Sequence, residues 1–181
     1  MKTIKTTIPD LIIIEPEVHG DDRGFFFESY NKDKFDALGL NTIFVQDNHS
    51  KSAKGVLRGL HFQQDPKPMA KLVRCTCGRL WDVAVDLRAG SPTYKQWFGL
   101  ELSEENKKMI FVPEGFAHGF YAFTDCELQY KVSNTFNSDL DAGIAWNDPE
   151  INIKWPLDGD PILSTRDSQA MTLAEFLKKR F

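Results

Sequence analysis

Apolar positions along the chain fall in short runs of β-branched and aromatic residues, cut at close intervals by Gly, Pro, Asn and Asp. This is the pattern of an all-β sandwich or barrel. Strands are predicted over 11–17, 24–30, 42–48, 56–62, 71–79, 79–87, 94–102, 108–112, 119–123 and 127–132, a number that suits a jelly-roll barrel. Helix is the minority element. A short one is predicted over 32–38, ended by Gly39, and another over 172–181, where Leu173, Phe176 and Leu177 share an apolar stripe that would pack on the barrel exterior. The Asp-, Pro- and Trp-rich stretch 147–161 reads as an ordered wrap across the barrel. With no internal repeat or long linker, residues 1–181 are taken as a single domain.

Composition narrows the function classes. The 181 residues are 41% hydrophobic, enough for one sizeable core. Lys and Arg number 22 against 26 Asp and Glu, a net charge of -4 that offers no electrostatic case for nucleic acid or an anionic membrane. The apolar run 11–14 is far shorter than a signal or membrane-spanning segment, so a cytoplasmic protein is expected. Three cysteines are present. Cys75 and Cys77 alternate in a predicted strand and are expected to share one sheet face as small apolar residues, with no disulfide in a reducing compartment.

Two runs carry candidate chemistry. In Gly55-Val56-Leu57-Arg58-Gly59-Leu60-His61-Phe62-Gln63, Arg58 and His61 are three positions apart. Strand alternation would send them to opposite faces unless a bulge at Gly59 intervenes, and such a bulge or bend is predicted. The run Pro113-Glu114-Gly115-Phe116-Ala117-His118 has the Pro-x-Gly-x-x-His shape of the second cupin motif, and the barrel inference rests partly on it. In metal cupins the first motif supplies His-x-His and a carboxylate. Here it reads His61-Phe62-Gln63, which leaves the usual donor set incomplete, so no metal is expected. A barrel with His61, Lys71, Tyr130 and Asp167 available points to proton chemistry. Removing a proton beside a ketone makes an enolate, and a base alone contributes about 10²- to 10⁴-fold. Lys71 is the natural donor to the enolate oxygen, a role typically worth about 3 to 4 kcal/mol; Tyr130 would return a proton from the other face.

The run 16–31, Pro-Glu-Val-His-Gly-Asp-Asp-Arg-Gly-Phe-Phe-Phe-Glu-Ser-Tyr-Asn, resembles the dTDP-4-dehydrorhamnose 3,5-epimerase family. Matching motifs recur over 44–50, 56–63, 71–74, 81–86, 113–120, 144–156 and 163–167, about nine tenths of the chain. The resemblance implies a cupin-type jelly roll with a few short peripheral helices, acting without a cofactor on a dTDP-4-dehydro-6-deoxy sugar and inverting C3 and C5. It implies His61 as base, Asp167 as the carboxylate that orients it, Tyr130 as general acid and Lys71 beside the enolate oxygen. It further implies a homodimer, with Arg23, Glu28, Gln46, Asn48, Arg58 and His118 contacting nucleotide, diphosphate or sugar.

The chain departs from the family pattern after Tyr130, where further tyrosines are usual and Phe136 stands instead, and at Arg166, where lysine is common. A mono-epimerase is the alternative that Phe136 motivates. A metal cupin, motivated by His118, and a non-catalytic nucleotide-sugar binding module are alternatives of other classes. The aromatic run Phe25-Phe26-Phe27 is expected to serve core and dimer packing.

Overall fold

The computed structural model describes residues 1–179. Its strands are β1 (Lys2–Lys5), β2 (Ile12–Glu15), β3 (His19–Asp21), β4 (Gly24–Phe26), β5 (Gln46–Ser52), β6 (Leu57–Gln63), β7 (Lys71–Cys77), β8 (Arg79–Asp86), β9 (Trp97–Ser103), β10 (Met109–Val112), β11 (Phe116–Ala122), β12 (Cys126–Val132) and β13 (Asp141–Gly143). Three helices, α1 (Lys32–Ala37), α2 (Thr165–Ser168) and α3 (Leu173–Lys179), lie outside the sheets. A six-stranded sheet runs β1-β2-β10-β7-β12-β5 and a five-stranded one β13-β6-β11-β8-β9, while β3 and β4 form a separate hairpin. The registered pairings within these sheets are antiparallel. This is the expected jelly-roll architecture.

Three apolar layers follow from the period-2 geometry of strands. Between the sheets, Val73, Cys75, Ile110, Val112 and Leu128 meet Leu80, Ala84, Phe120 and Ala122. The residues next to them point the other way. On the outer face of the five-stranded sheet, Leu60, Val83, Val85 and Ala117 lie beneath Ile151, Ile153 and Leu173, so the wrap over 147–161 and α3 cover it as predicted. On the outer face of the six-stranded sheet, Ile14, Leu72, Met109 and Phe111 are capped by Phe35 and Leu40. Strands buried on both faces read as near-continuous apolar runs, which is why the central ones were legible. Truncating one of these side chains, as in Leu128→Ala, is expected to cost roughly 2–5 kcal/mol.

The differences from expectation have local causes. The strand predicted over 42–48 begins only at Gln46; Ile43 and Val45 are 67% and 55% exposed and precede the paired segment. The strand predicted over 24–30 stops at Phe26. Phe25 and Phe26 are not core: they are 62% and 67% exposed on the β3–β4 hairpin. The strand predicted from residue 94 starts at Trp97, because Lys95 adopts φ 67° in the turn before it. Cys75 is buried, whereas Cys77, at the end of β7, is exposed, so the two do not act alike. Helix α1 is capped by the Asn31 side chain, which accepts from the Lys34 N–H, and Gly39 at φ 81° follows it as predicted. Helix α3 covers the predicted span from Leu173 as far as Lys179; Arg180 and Phe181 lie outside the described residues.

Candidate active site

The interior rows of the barrel are divided along their length. On β12, Cys126, Leu128 and Tyr130 alternate inward, and on β7 Lys71, Val73 and Cys75 do the same. Both rows therefore pass from apolar core to polar groups, and at the polar end lies a cavity of about 320 Å³. Its walls include Gln46, Asn48, Arg58, His61, Lys71, His118 and Tyr130, all anticipated from the sequence.

Arg58 and His61 share this cavity because β6 carries the predicted bulge. Opposite β11, His61 pairs with His118 and Arg58 with Phe120, so Gly59 and Leu60 together face Gly119. The extra residue restores Arg58 and His61 to one side and sends Leu60 into the outer layer. Gly59 takes φ 132°, and a Cβ there would meet Gly119 Cα at 2.6 Å; one on Gly119 would meet the Arg58 carbonyl at 2.7 Å. The bulge thus requires glycine on both strands.

His61 Nε2 lies 2.5 Å from Asp167 Oδ1. With Nε2 donating to the carboxylate, Nδ1 is the ring nitrogen left for the cavity. Asp167 comes from α2, whose N-cap Ser164 accepts from the Asp167 N–H at 3.1 Å and donates through Oγ to Asp167 Oδ2 at 2.9 Å. Burial pushes the Asp167 carboxyl up, but its hydrogen bond to His61, the His61 charge, Ser164 and Arg166 outweigh this and hold it below the ordinary range. Asp167 is 4% exposed and stays an anion fixed behind the imidazole.

Lys71 is a buried cation. Burial lowers its ammonium to about 8, against the upward pull of Asp82 and Asp141 and with a further downward push from Arg166. Its Nζ donates to the His61 carbonyl at 3.4 Å. Tyr130 is pushed above the ordinary phenol range, chiefly by burial, with Arg58 acting in the opposite sense; its hydroxyl is therefore kept as an acid. His118 Nε2 lies 2.9 Å from Asp82 Oδ2, a second histidine–carboxylate pair more deeply buried than the first. Arg58 is aimed by Ser52 Oγ at 3.0 Å and the Lys51 carbonyl at 2.9 Å, and Gln46 Nε2 donates to Asn48 Oδ1 at 2.8 Å.

Two anticipated residues stand elsewhere in this chain. Arg23 pairs with Asp21 on the β3–β4 hairpin, 2.5 Å between Nη2 and Oδ2, and Glu28 bonds Asn31 and Lys34. Neither lines the cavity. Conversely, the walls contain groups given no site role in advance: Asp141 and Arg166, ion-paired at 2.7 Å, and Met69 and Gln63. Asp141 lies in a three-residue strand with no apolar signal; Arg166 was noticed only as a departure, although its place beside Asp167 was a clue. Among the described residues no three His, Cys, Asp or Glu side chains are grouped to hold a metal ion.

The chain is similar to known proteins over nearly its whole length. The family model for dTDP-4-dehydrorhamnose 3,5-epimerase matches residues 5–175. A dTDP-4-dehydrorhamnose 3,5-epimerase of Salmonella typhimurium is 52% identical over 179 residues, covering 98% of each chain. A solved structure of dTDP-6-deoxy-D-glucose-3,5-epimerase from Legionella pneumophila, in complex with dTDP-4-keto-L-rhamnose, superimposes with a TM-score of 0.92 at 44% identity, covering 96% of this chain and 93% of that one. Another, a dTDP-4-dehydrorhamnose 3,5-epimerase from Bacillus anthracis with TDP and PPi bound, gives a TM-score of 0.92 at 48% identity, covering 95% and 99%.

Proposed function

The chain belongs to the dTDP-4-dehydrorhamnose 3,5-epimerase family, and from that premise we propose how its own side chains carry out the isomerisation. The enzyme is an epimerase that converts dTDP-4-dehydro-6-deoxy-D-glucose to dTDP-4-dehydro-L-rhamnose. The C4 ketone acidifies the protons on C3 and C5. His61 Nδ1 removes one of them, and the electron pair moves into an enolate whose oxygen is met by the Lys71 ammonium. Tyr130 then delivers its phenolic proton to the opposite face of the carbon, inverting it. Asp167 holds the ring and offsets the charge of the imidazolium that forms. His61 then loses its proton and Tyr130 regains one, and the same pair serves the second carbon after the ring shifts. The chemistry draws on no cofactor.

Arg58 is assigned to the diphosphate, whose oxygens suit a guanidinium fork. Gln46, Asn48 and His118 contact nucleotide or sugar. Arg23 and Glu28 are assigned to the site of a second copy in a homodimer, because neither lines its own cavity and the hairpin that carries Arg23 exposes Phe25 and Phe26. The setting proposed is cytoplasmic synthesis of dTDP-L-rhamnose for cell-surface polysaccharide.

The observation that carries this reading is the 2.5 Å contact of His61 with buried Asp167, on a cavity shared with Lys71 and Tyr130. The test is incubation with dTDP-4-dehydro-6-deoxyglucose in heavy water, reading the sugar carbons by NMR and mass spectrometry. Deuterium at C3 and C5 with the L-lyxo product is expected. Deuterium at one carbon alone would make the enzyme a mono-epimerase, and tight binding without uptake would make the chain a binding module.

A further inference from the structure

Gln63 stands where the first motif of a metal cupin carries a second imidazole, and the reaction above gives it no task. The side chain is buried, 6% exposed, and its hydrogen bonds all go to backbone. Nε2 donates to the Lys67 carbonyl at 2.5 Å and to the Thr135 carbonyl at 3.2 Å, and Oε1 accepts from the Asn137 N–H at 2.8 Å. Lys67 belongs to the segment leading into β7, and Thr135 and Asn137 to the segment leaving β12. These two segments are tied further where Asn134 Nδ2 donates to the Pro68 carbonyl at 2.6 Å, and where the Ser133 N–H donates to the Ala70 carbonyl at 3.1 Å and the Ala70 N–H to Ser133 Oγ at 2.9 Å. Between Thr135 and Asn137 sits Phe136, whose own N–H donates to Gln46 Oε1 at 3.0 Å. Its ring lines the cavity and is 59% exposed, so it stands on the rim.

The partners, two carbonyls and one N–H, select the residue type. A carboxamide offers two donors and an acceptor; a neutral imidazole has a single donor, and a carboxylate has none. We propose that Gln63 is a positioning residue: its amide clamps the segment before β7 to the segment after β12, fixes Phe136 on the rim, and so keeps the half-inverted ketosugar in the cavity between the two proton transfers. This rests on the double-epimerase reading. Two inversions in a single encounter need the sugar to stay bound through two cycles, and a rim that opens between them releases it after one.

The test compares wild-type enzyme with Gln63→Leu, Gln63→Glu and Asn134→Ala in heavy water, and measures dTDP affinity by calorimetry. For Gln63→Leu the expected result is a KM raised roughly tenfold with kcat at saturation within about twofold, since ground-state binding is lost and the reacting groups are untouched. The fraction of released sugar carrying a single deuterium should rise severalfold. Gln63→Glu should not rescue, having lost both donors. Asn134→Ala, at a partly exposed position, should show the same pattern more weakly and covers the case in which the Gln63 variants do not fold. Folded variants with unchanged KM, unchanged single-deuterium release and unchanged dTDP affinity would overturn the proposal, even if their Tm fell. If wild-type enzyme takes no deuterium from this substrate, the functional reading fails on its own, and dTDP affinity still decides the clamp: weaker binding supports it and equal binding overturns it.

Discussion

His61 Nε2 and Asp167 Oδ1 meet at 2.5 Å although 106 residues separate them in the chain. One comes from a central strand and the other from a single helical turn that Ser164 caps, so the contact depends on how the tail after β13 returns to the barrel.

Asp167→Asn keeps the side-chain shape and removes the charge behind the imidazole. kcat is expected to fall on the order of 10²-fold, with KM little changed, because the loss falls on the imidazolium formed during the reaction. Steady-state kinetics on dTDP-4-dehydro-6-deoxyglucose check this. Because the Asp167 carboxyl is held below its unfolded value, its contribution to stability is present above that unfolded value and is lost as pH falls through the folded one. In thermal melts, the variant should therefore show a shallower loss of Tm in acid than the wild type.

Tyr130→Phe leaves the base and the enolate donor in place and removes the acid. Deuterium should still enter the substrate from heavy water while inversion falls by about 10²-fold or more. Uptake and inversion lost together would assign Tyr130 to substrate binding, and wild-type turnover would remove it from the mechanism.

Lys71→Met should lower kcat by roughly 10²- to 10³-fold through loss of the enolate donor. It should not lower Tm, since a buried ammonium is exchanged for an apolar side chain of similar length. The wild-type rate should also decline as pH rises through about 8, where Lys71 loses its proton in the folded protein. Its folded value lies below the unfolded one, so this group's linkage makes stability rise with pH between about 8 and the ordinary lysine range, opposite in sense to the fall in rate. A pH–rate profile set beside melts over the same range separates the two.

Gly119→Ala places a Cβ 2.7 Å from the Arg58 carbonyl, and Gly59→Ala places one 2.6 Å from the Gly119 Cα. Either change should push β6 away from β11 and cost about 1–3 kcal/mol of stability. Protein that still folds should have lost most of its activity, because Arg58 and His61 are aimed by the same backbone. Urea unfolding alongside activity measures both; a fall in stability without a fall in rate would show that the bulge does not aim the site.

Most elements legible in the sequence are those whose residues are buried on at least one face; β4, exposed at all three positions, falls within a predicted strand because of its aromatic run. Strands β7, β8, β11 and β12 were legible because their apolar positions are continuous or alternate. Strand β1, Lys2–Lys5, is exposed at every position and owes its pairing to β2 alone, so no apolar pattern announces it. Strand β13 is too short to show a period. Helix α2 is a single turn, yet Ser164 followed three positions later by Asp167 is a capping signature that could have marked it. Within the site, the bulge at Gly59 could be foreseen because two polar residues three apart had to be reconciled with a period of two. The Arg166–Asp141 pair and the clamp made by Gln63 could not, since they depend on which segments meet at one end of the barrel.

The division of the interior rows into an apolar length and a polar end has an evolutionary consequence. On β7 and β12 the core is set by Val73, Cys75, Cys126 and Leu128, and the polar wall of the cavity by Lys71 and Tyr130, on the same strands. Exchange of an exposed rim residue such as Phe136 leaves the apolar rows of the core untouched, so substrate preference can drift at that end of the barrel while the core stays the same.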